Sequence, residues 1–205
     1  MSARDDILAA VRHAIGDATA PVASRDYVSS GNSSRDAIVA TFVERVRDYK
    51  GVVVHTDDAR AAVERVLVEQ SARRVGIPRG LPERLRPPHL ELVADEALAP
   101  EQLDQLDGVV TTCAAACAVT GTLAFDGGPG QGRRALTLLP DLHVCVVAEA
   151  QIVETVPELI RQLEAAAAAG RPIVLVSGPS ATSDIELQRV EGVHGPRRLV
   201  VVVEQ

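Results

Sequence analysis

The residues from Gly178 to Arg197, GPSATSDIELQRVEGVHGPR, carry the densest set of side chains able to do chemistry: hydroxyls at Ser180 and Thr182, a carboxylate at Asp184, an imidazole at His194 and a guanidinium at Arg197. The Gly178-Pro179 pair fixes a tight turn, and the small residues after it leave backbone amides open to a ligand. Such a turn suits an anion. The same hydroxyls and carboxylate would also cap a short helix, and spacing leaves both readings open. His194, inside Gly-Val-His-Gly-Pro, either hydrogen-bonds within its turn or acts as a proton donor or ligand contact beside Arg197.

A second dense region is Thr120 to Arg134, TGTLAFDGGPGQGRR. Gly127, Gly128, Gly130 and Gly132 give a loop free to take positive φ and expose its amides, while Arg133 and Arg134 offer forked donors for phosphate or carboxylate. The loop is not a P-loop, because no Gly-Lys-Ser/Thr follows, nor a dinucleotide fingerprint, because no clear helix opens after it. An ordinary glycine-rich hairpin loop is the competing reading.

Other chemistries are weaker. Ser180 does not sit in a Gly-x-Ser-x-Gly elbow, and nothing in the spacing pairs it with Asp184 and His194 as a triad. Asp184 and Glu186 are two apart, which on a helix would not face them together. Cys113 and Cys117 have no second cysteine pair, and Cys145 lies in an apolar run, so buried small hydrophobes are expected rather than a metal or cluster site. No cofactor held by this chain is expected.

The bulk properties narrow the class. A chain of 205 residues, 46% of them apolar, can bury a sizeable core as one domain with an extension. A net charge of −7 and only 2% aromatic residues argue against nucleic-acid binding, and no apolar run is long enough to span a bilayer. Residues 1–17 lack a signal peptide's apolar core, and the odd number of cysteines is no secreted disulfide framework; a cytoplasmic location is expected.

These side chains need elements to position them. Ile7, Leu8, Val11 and Ile15 share one helical face, as do Ile38, Val39, Phe42, Val43 and Val46, giving residues 1–50 as a helical arm with a flexible break near 29–34. Such arms often pair between subunits, which makes a homodimer one expectation. Strands are expected at 52–55, 74–77, 90–93, 109–112, 143–147, 173–176 and 199–203, with helices after Thr56, near 82–85, at 100–106 and at 151–169. That alternation predicts an α/β fold, a sandwich with a mostly parallel sheet, over residues 51–205. Pro172 to Ser177 reads as a buried strand of that sheet delivering the Gly178 turn at its carboxyl edge, where ligands collect in open parallel sheets.

The runs GPSATSDIE and GVHGPRRLVVVV, with TGTLAFDGGPGQGRRALTLLPDLHVCVV upstream, resemble the LUD domain of the lactate-utilisation protein C family over roughly Gly51 to Gln205. The resemblance implies a three-layer α/β/α sandwich of the NagB/RpiA/CoA-transferase-like kind. It also implies a non-cluster subunit of a cytoplasmic system that oxidises L-lactate to pyruvate beside iron–sulfur partner subunits. Where this family pattern commonly has a glutamate, before Thr120-Gly121-Thr122, this chain has Val119, which can neither take a proton nor attack an acyl group. Ligand binding by Thr120, Gly121, Thr122, the glycine loop, Arg133, Gly178, Ser180, Thr182, Asp184, His194 and Arg197 survives that change, and a small anionic ligand is expected. The competing expectation is an enzyme of the sugar-phosphate isomerase or acyl-transfer type, with Asp184, Glu186 or His194 as its acid–base group.

Overall fold

In a computed structural model the chain is described at residues 2–19, 21–24, 26–183, 189–191 and 195–205, with 181–183 and 189–191 described as backbone alone. The helices are α1 (Ala3–Ile15), α2 (Arg35–Asp48), α3 (Ala59–Glu69), α4 (Pro100–Asp104), α5 (Arg134–Leu138) and α6 (Val156–Ala168). The strands are β1 (Val52–Thr56), β2 (Arg74–Ile77), β3 (Glu91–Ala94), β4 (Gly108–Thr112), β5 (Ala115–Cys117), β6 (Thr122–Phe125), β7 (Leu142–Ala148), β8 (Ile152–Val153), β9 (Val174–Val176), β10 (Ala181–Ser183), β11 (Arg189–Glu191) and β12 (Arg198–Glu204).

Six strands form the central sheet in the order β1-β12-β7-β4-β2-β3, every pair parallel, with Val52 opposite Val200 and Leu199 opposite His143. The runs LHVCVVA and RLVVVVE are apolar nearly throughout because both faces of these strands are buried. Val144, Val146, Val200 and Val202 point to α3, where they meet Ala62, Val63, Val66 and Leu67. Cys145, Val147, Val201 and Val203 point the other way, to Val39, Phe42 and Val46 of α2 and to Leu123 and Phe125 of β6. The α/β architecture with a mostly parallel sheet is therefore present.

That second face also carries a four-stranded sheet, β8-β5-β6-β9, absent from the expectation. Its far side packs Ala115, Cys117 and Ala124 on Leu159 and Leu163 of α6. The run 173–176 is a strand, but it belongs here: β9 is an edge strand antiparallel to β6, and Leu175 is 51% exposed. This corrects the reading of Pro172–Ser177 as a buried strand of the parallel sheet. β-branched composition marks a strand without saying which sheet receives it.

The two halves of the amino-terminal region behave differently. α1 is capped by Ser2 and buries none of its residues, whereas α2, capped by Ser34, packs Val39, Phe42 and Val46 into the core. The linker between them, expected as a flexible break, is tied to the body. Gly31 donates its amide to Glu158, Ser33 donates its amide and hydroxyl to Glu154, and Arg161 donates to the Ser29 carbonyl. α3 opens two residues later than expected. Asp58 supplies the cap by accepting from the Ala61 amide, while Thr56 accepts from the Asp58 amide instead.

Candidate functional site

Because the six central strands run one way, their ends define two edges. At the carboxyl edge the glycine loop follows β6 and folds back over β2 and β4. The Thr112 amide donates to the Gly130 carbonyl at 2.7 Å, and the Gly130 amide donates to Arg79, just past β2. Gly127, Gly128, Gly132 and Arg133 line a hollow there with Arg79, Gly80 and Asp95.

Much of this loop's donor capacity is spent on itself. The Gly128 amide goes to the Asp126 carboxylate, the Gln131 amide to the Gly128 carbonyl, and the Asp126 amide to the Gln131 side chain. The glycines also answer to close packing. A Cβ at Gly130 would lie 2.6 Å from Thr112 Oγ1, and one at Gly132 would lie 2.8 Å from the Leu136 side chain. Arg133 is engaged as well: its fork donates from Nε to both Asp95 oxygens, the shorter contact at 2.8 Å, and it also reaches the Leu98 carbonyl. The Asp95 side chain is 2% exposed, so this pair neutralises a buried carboxylate.

Thr120, Gly121, Thr122 and Gly178 gather at a different place, where the small sheet meets the end of α2. Thr120 and Thr122 share a hydrogen bond of 2.7 Å, and Thr122 shares another of 2.7 Å with Ser177. The space beside both glycines is filled by protein. A Cβ on Gly121 would stand 2.8 Å from the Val46 amide nitrogen, and one on Gly178 would stand 2.6 Å from Tyr49 Cβ. Val119 sits before this turn, 45% exposed, with its amide donating to the Glu154 carbonyl.

Ser180 lies at the amino edge. Its amide donates to the Pro196 carbonyl at 2.7 Å, and it faces Gly195. Arg197, next along, is paired through a bidentate contact with Asp141 on the exposed surface. Thr182 is in β10, which pairs with β11 as a hairpin. Asp184, Glu186 and His194 lie outside the described residues.

The glycine loop lines a hollow at the carboxyl edge, whereas Arg134, which ends that dense region, shares a hollow with Gly178, Pro179, Ser180, Gly195 and Pro196 of the other. One turn stands at the carboxyl edge and the other at the amino edge, with α5 running between them. What the fold does assemble is a hollow of about 330 Å³ at the amino edge, between α5, β9 and the starts of β7 and β12. Arg134, Thr137 and Leu138 form one wall; Val174 to Ser180 form another; His143, Leu199, Gly195 and Pro196 complete it.

His143 is the informative residue. It is 1% exposed, lies within 5.6 Å of Phe125 between ring centres, and shares a 2.7 Å hydrogen bond between Nε2 and Thr111 Oγ1. Its other ring nitrogen has no partner among the described residues. Burial pushes its pKa down to about 4, so the ring is neutral at neutral pH. Arg134, on the rim, has no ion-pair partner among the described residues. Among the described residues the arrangement joins one arginine, one neutral imidazole, the hydroxyl residues Thr137, Ser177 and Ser180, and aliphatic side chains, which suits hydrogen bonding to an organic anion. Sequence reading passed over His143, although an imidazole interrupting the run LHVCVV was a visible signal.

Other groups are less suited. A hollow of about 580 Å³ lies between α2 and the carboxyl ends of β1 and β7, but Asp36, Glu44 and Asp48 line it, and His55 and Glu149 satisfy each other at 2.6 Å. Cys113, Cys117 and Cys145 are free and buried; the hydrogen bond that the Cys113 thiol donates to Cys145, together with burial, pushes its pKa up, away from thiolate chemistry. Among the described residues no group of three or more His, Cys, Asp or Glu is placed to hold a metal, and no helix is long and apolar enough to cross a membrane.

Comparison with known proteins agrees with this geometry. The LUD domain family matches residues 39–203, beginning inside α2 and so including the helix that packs on the core. Lactate utilization protein C of Deinococcus radiodurans is 43% identical over 204 residues, covering 98% of this chain and 95% of the relative. Its namesake in Halalkalibacterium halodurans is 33% identical, covering 73% and 74%. A crystal structure of a DUF162 family protein from Deinococcus radiodurans superposes with a TM-score of 0.75 at 39% identity, covering 85% of this chain and 100% of that one. With a family match that takes in both sheets and the α2 helix they share, this chain belongs to the LUD domain family.

Proposed function

We propose that this protein serves lactate utilisation as the non-cluster subunit of a cytoplasmic system that oxidises L-lactate to pyruvate, working beside iron–sulfur partner subunits and holding an organic anion in the amino-edge hollow. The observation that carries the reading is the 43% identity to a lactate utilization protein over 98% of the chain. Arg134, with no ion-pair partner among the described residues, supports the anion, and an exposed Val119 supports a binding role over acyl transfer.

Deleting the gene and growing the cells on L-lactate as sole carbon source tests the physiological part. Growth is expected to fail and to return with a plasmid copy; normal growth of the deletion strain overturns the proposal. A tagged full-length chain should also bring down the iron–sulfur subunits from lactate-grown cells.

A further inference from the structure

The amino-edge hollow is large for a three-carbon acid. Its volume of about 330 Å³ corresponds to roughly eleven waters at ~30 Å³ each, whereas a hydroxy acid of six non-hydrogen atoms displaces about four. The remaining space is bounded by Leu138, Val174, Val176 and Leu199, side chains that gain nothing from water.

Beside the hydroxyl residues Thr137, Ser177 and Ser180, the described lining carries one arginine and one histidine. Arg134 offers charge at the rim. His143, almost wholly buried, offers a ring nitrogen that no described residue satisfies. Because burial keeps this imidazole neutral down to about pH 4, Arg134 is the one charge among the described lining residues, matched by one anionic group. A ligand oxygen within reach of that nitrogen gains a hydrogen bond inside a largely apolar recess.

We infer that the hollow receives a monoanionic organic acid whose apolar body is longer than three carbons, with its charged group on Arg134, its body along the aliphatic wall and a hydroxyl or oxo oxygen on His143. This rests on the reading that the hollow takes an anion, and it separates the molecule bound here from the lactate oxidised by the system. Arg134 selects for charge, the wall for length, and His143 for the oxygen beside the acid group.

The test is calorimetric titration of the full-length protein with L-lactate, 2-hydroxyhexanoate, 2-hydroxydecanoate, decanoate and the neutral 1,2-decanediol. Affinity is expected to rise about fourfold per buried methylene until the wall is covered. Arg134→Gln, at an exposed position, weakens every acid at least tenfold and leaves the diol unchanged. His143→Phe weakens 2-hydroxydecanoate several-fold more than decanoate, a difference that a merely loosened fold would not produce.

A flat series, with lactate binding as tightly as the ten-carbon acid, overturns the inference, and so does the lack of saturable binding by any acid. A flat series together with failed growth of the deletion strain on lactate sinks the ligand class and leaves the physiological role. A rising series with normal growth does the reverse.

Discussion

Gly121 and Val46 are in backbone contact: a Cβ on Gly121 would stand 2.8 Å from the Val46 amide nitrogen. The turn before β6 rests directly on the last turn of α2, and Gly178 repeats the relation at Tyr49. Both glycines also hold positive φ, +59° and +86°. Gly121→Ala and Gly178→Ala should therefore each cost about 2–4 kcal/mol, lowering Tm by roughly 5–10 °C. Gly170→Ala is the control: its φ is +68° but nothing lies within 4 Å, so a loss of about 1 kcal/mol is expected. Thermal unfolding of the three variants checks the order, and equal losses would mean that φ, not the contact with α2, sets the cost.

The Arg133–Asp95 pair should respond asymmetrically. Removing the cation leaves a carboxylate that is 2% exposed, whereas removing the acid leaves a guanidinium that is 41% exposed and open to water. Arg133→Gln is expected to cost about 2 kcal/mol and Asp95→Asn about 1 kcal/mol, read from urea midpoints. Reversal of that order would place the burial cost on the arginine.

His143 makes stability depend on pH below neutrality. Unfolded, the ring takes a proton below its ordinary value of 6.5; folded, only below about 4. Between those values the unfolded chain binds more protons, so this contribution is complete above pH 6.5 and is lost as pH falls toward 4. From pH 7 to pH 5 the loss should be about 2 kcal/mol. His143→Phe, which cannot titrate, should show a flatter profile over that interval in urea titrations; parallel profiles would contradict the buried, neutral ring.

The α1 helix should be dispensable for the fold. It buries no residue, and Ile7, Val11 and Ile15 are 63%, 48% and 56% exposed. Among the described residues the anchors of the following linker begin at Ser29. A chain lacking residues 1–24 is expected to keep its Tm within about 1 °C. A fall of more than about 3 °C would reveal contacts made by this helix.

Much of the central sheet was legible because its inner strands, β7 and β12 above all, are buried on both faces. Val52–His55, His143–Val147 and Leu199–Val203 are rich in valine, and the expected Arg74–Ile77 is the strand observed. β5 and β6 escaped because Ala115, Ala116, Cys117 and Ala124 owe their strand form to packing against α6 and the main sheet, not to propensity. The glycine loop was legible as a tight feature but not as a packed one, since Thr112 and Leu136, which crowd it, are near in space only after folding. Arg133 and Arg197 looked like anion donors because Asp95 and Asp141 lie 38 and 56 residues away, beyond any spacing rule. Arg134 was read as a donor beside Arg133, but the hollow it shares with His143 depends on the meeting of α5 with β7, which no local pattern encodes.

The position of β12 has a consequence for biosynthesis. The final strand of the chain lies inside the sheet, paired to β1 on one side and β7 on the other. Until residues 198–204 leave the ribosome, the nascent chain has no partner for Val52–Thr56, and closing that pairing spans about 150 residues of sequence. A chain that stops before Arg198 therefore lacks the strand that joins β1 to β7, and the pairing of β1 waits on the synthesis of β12.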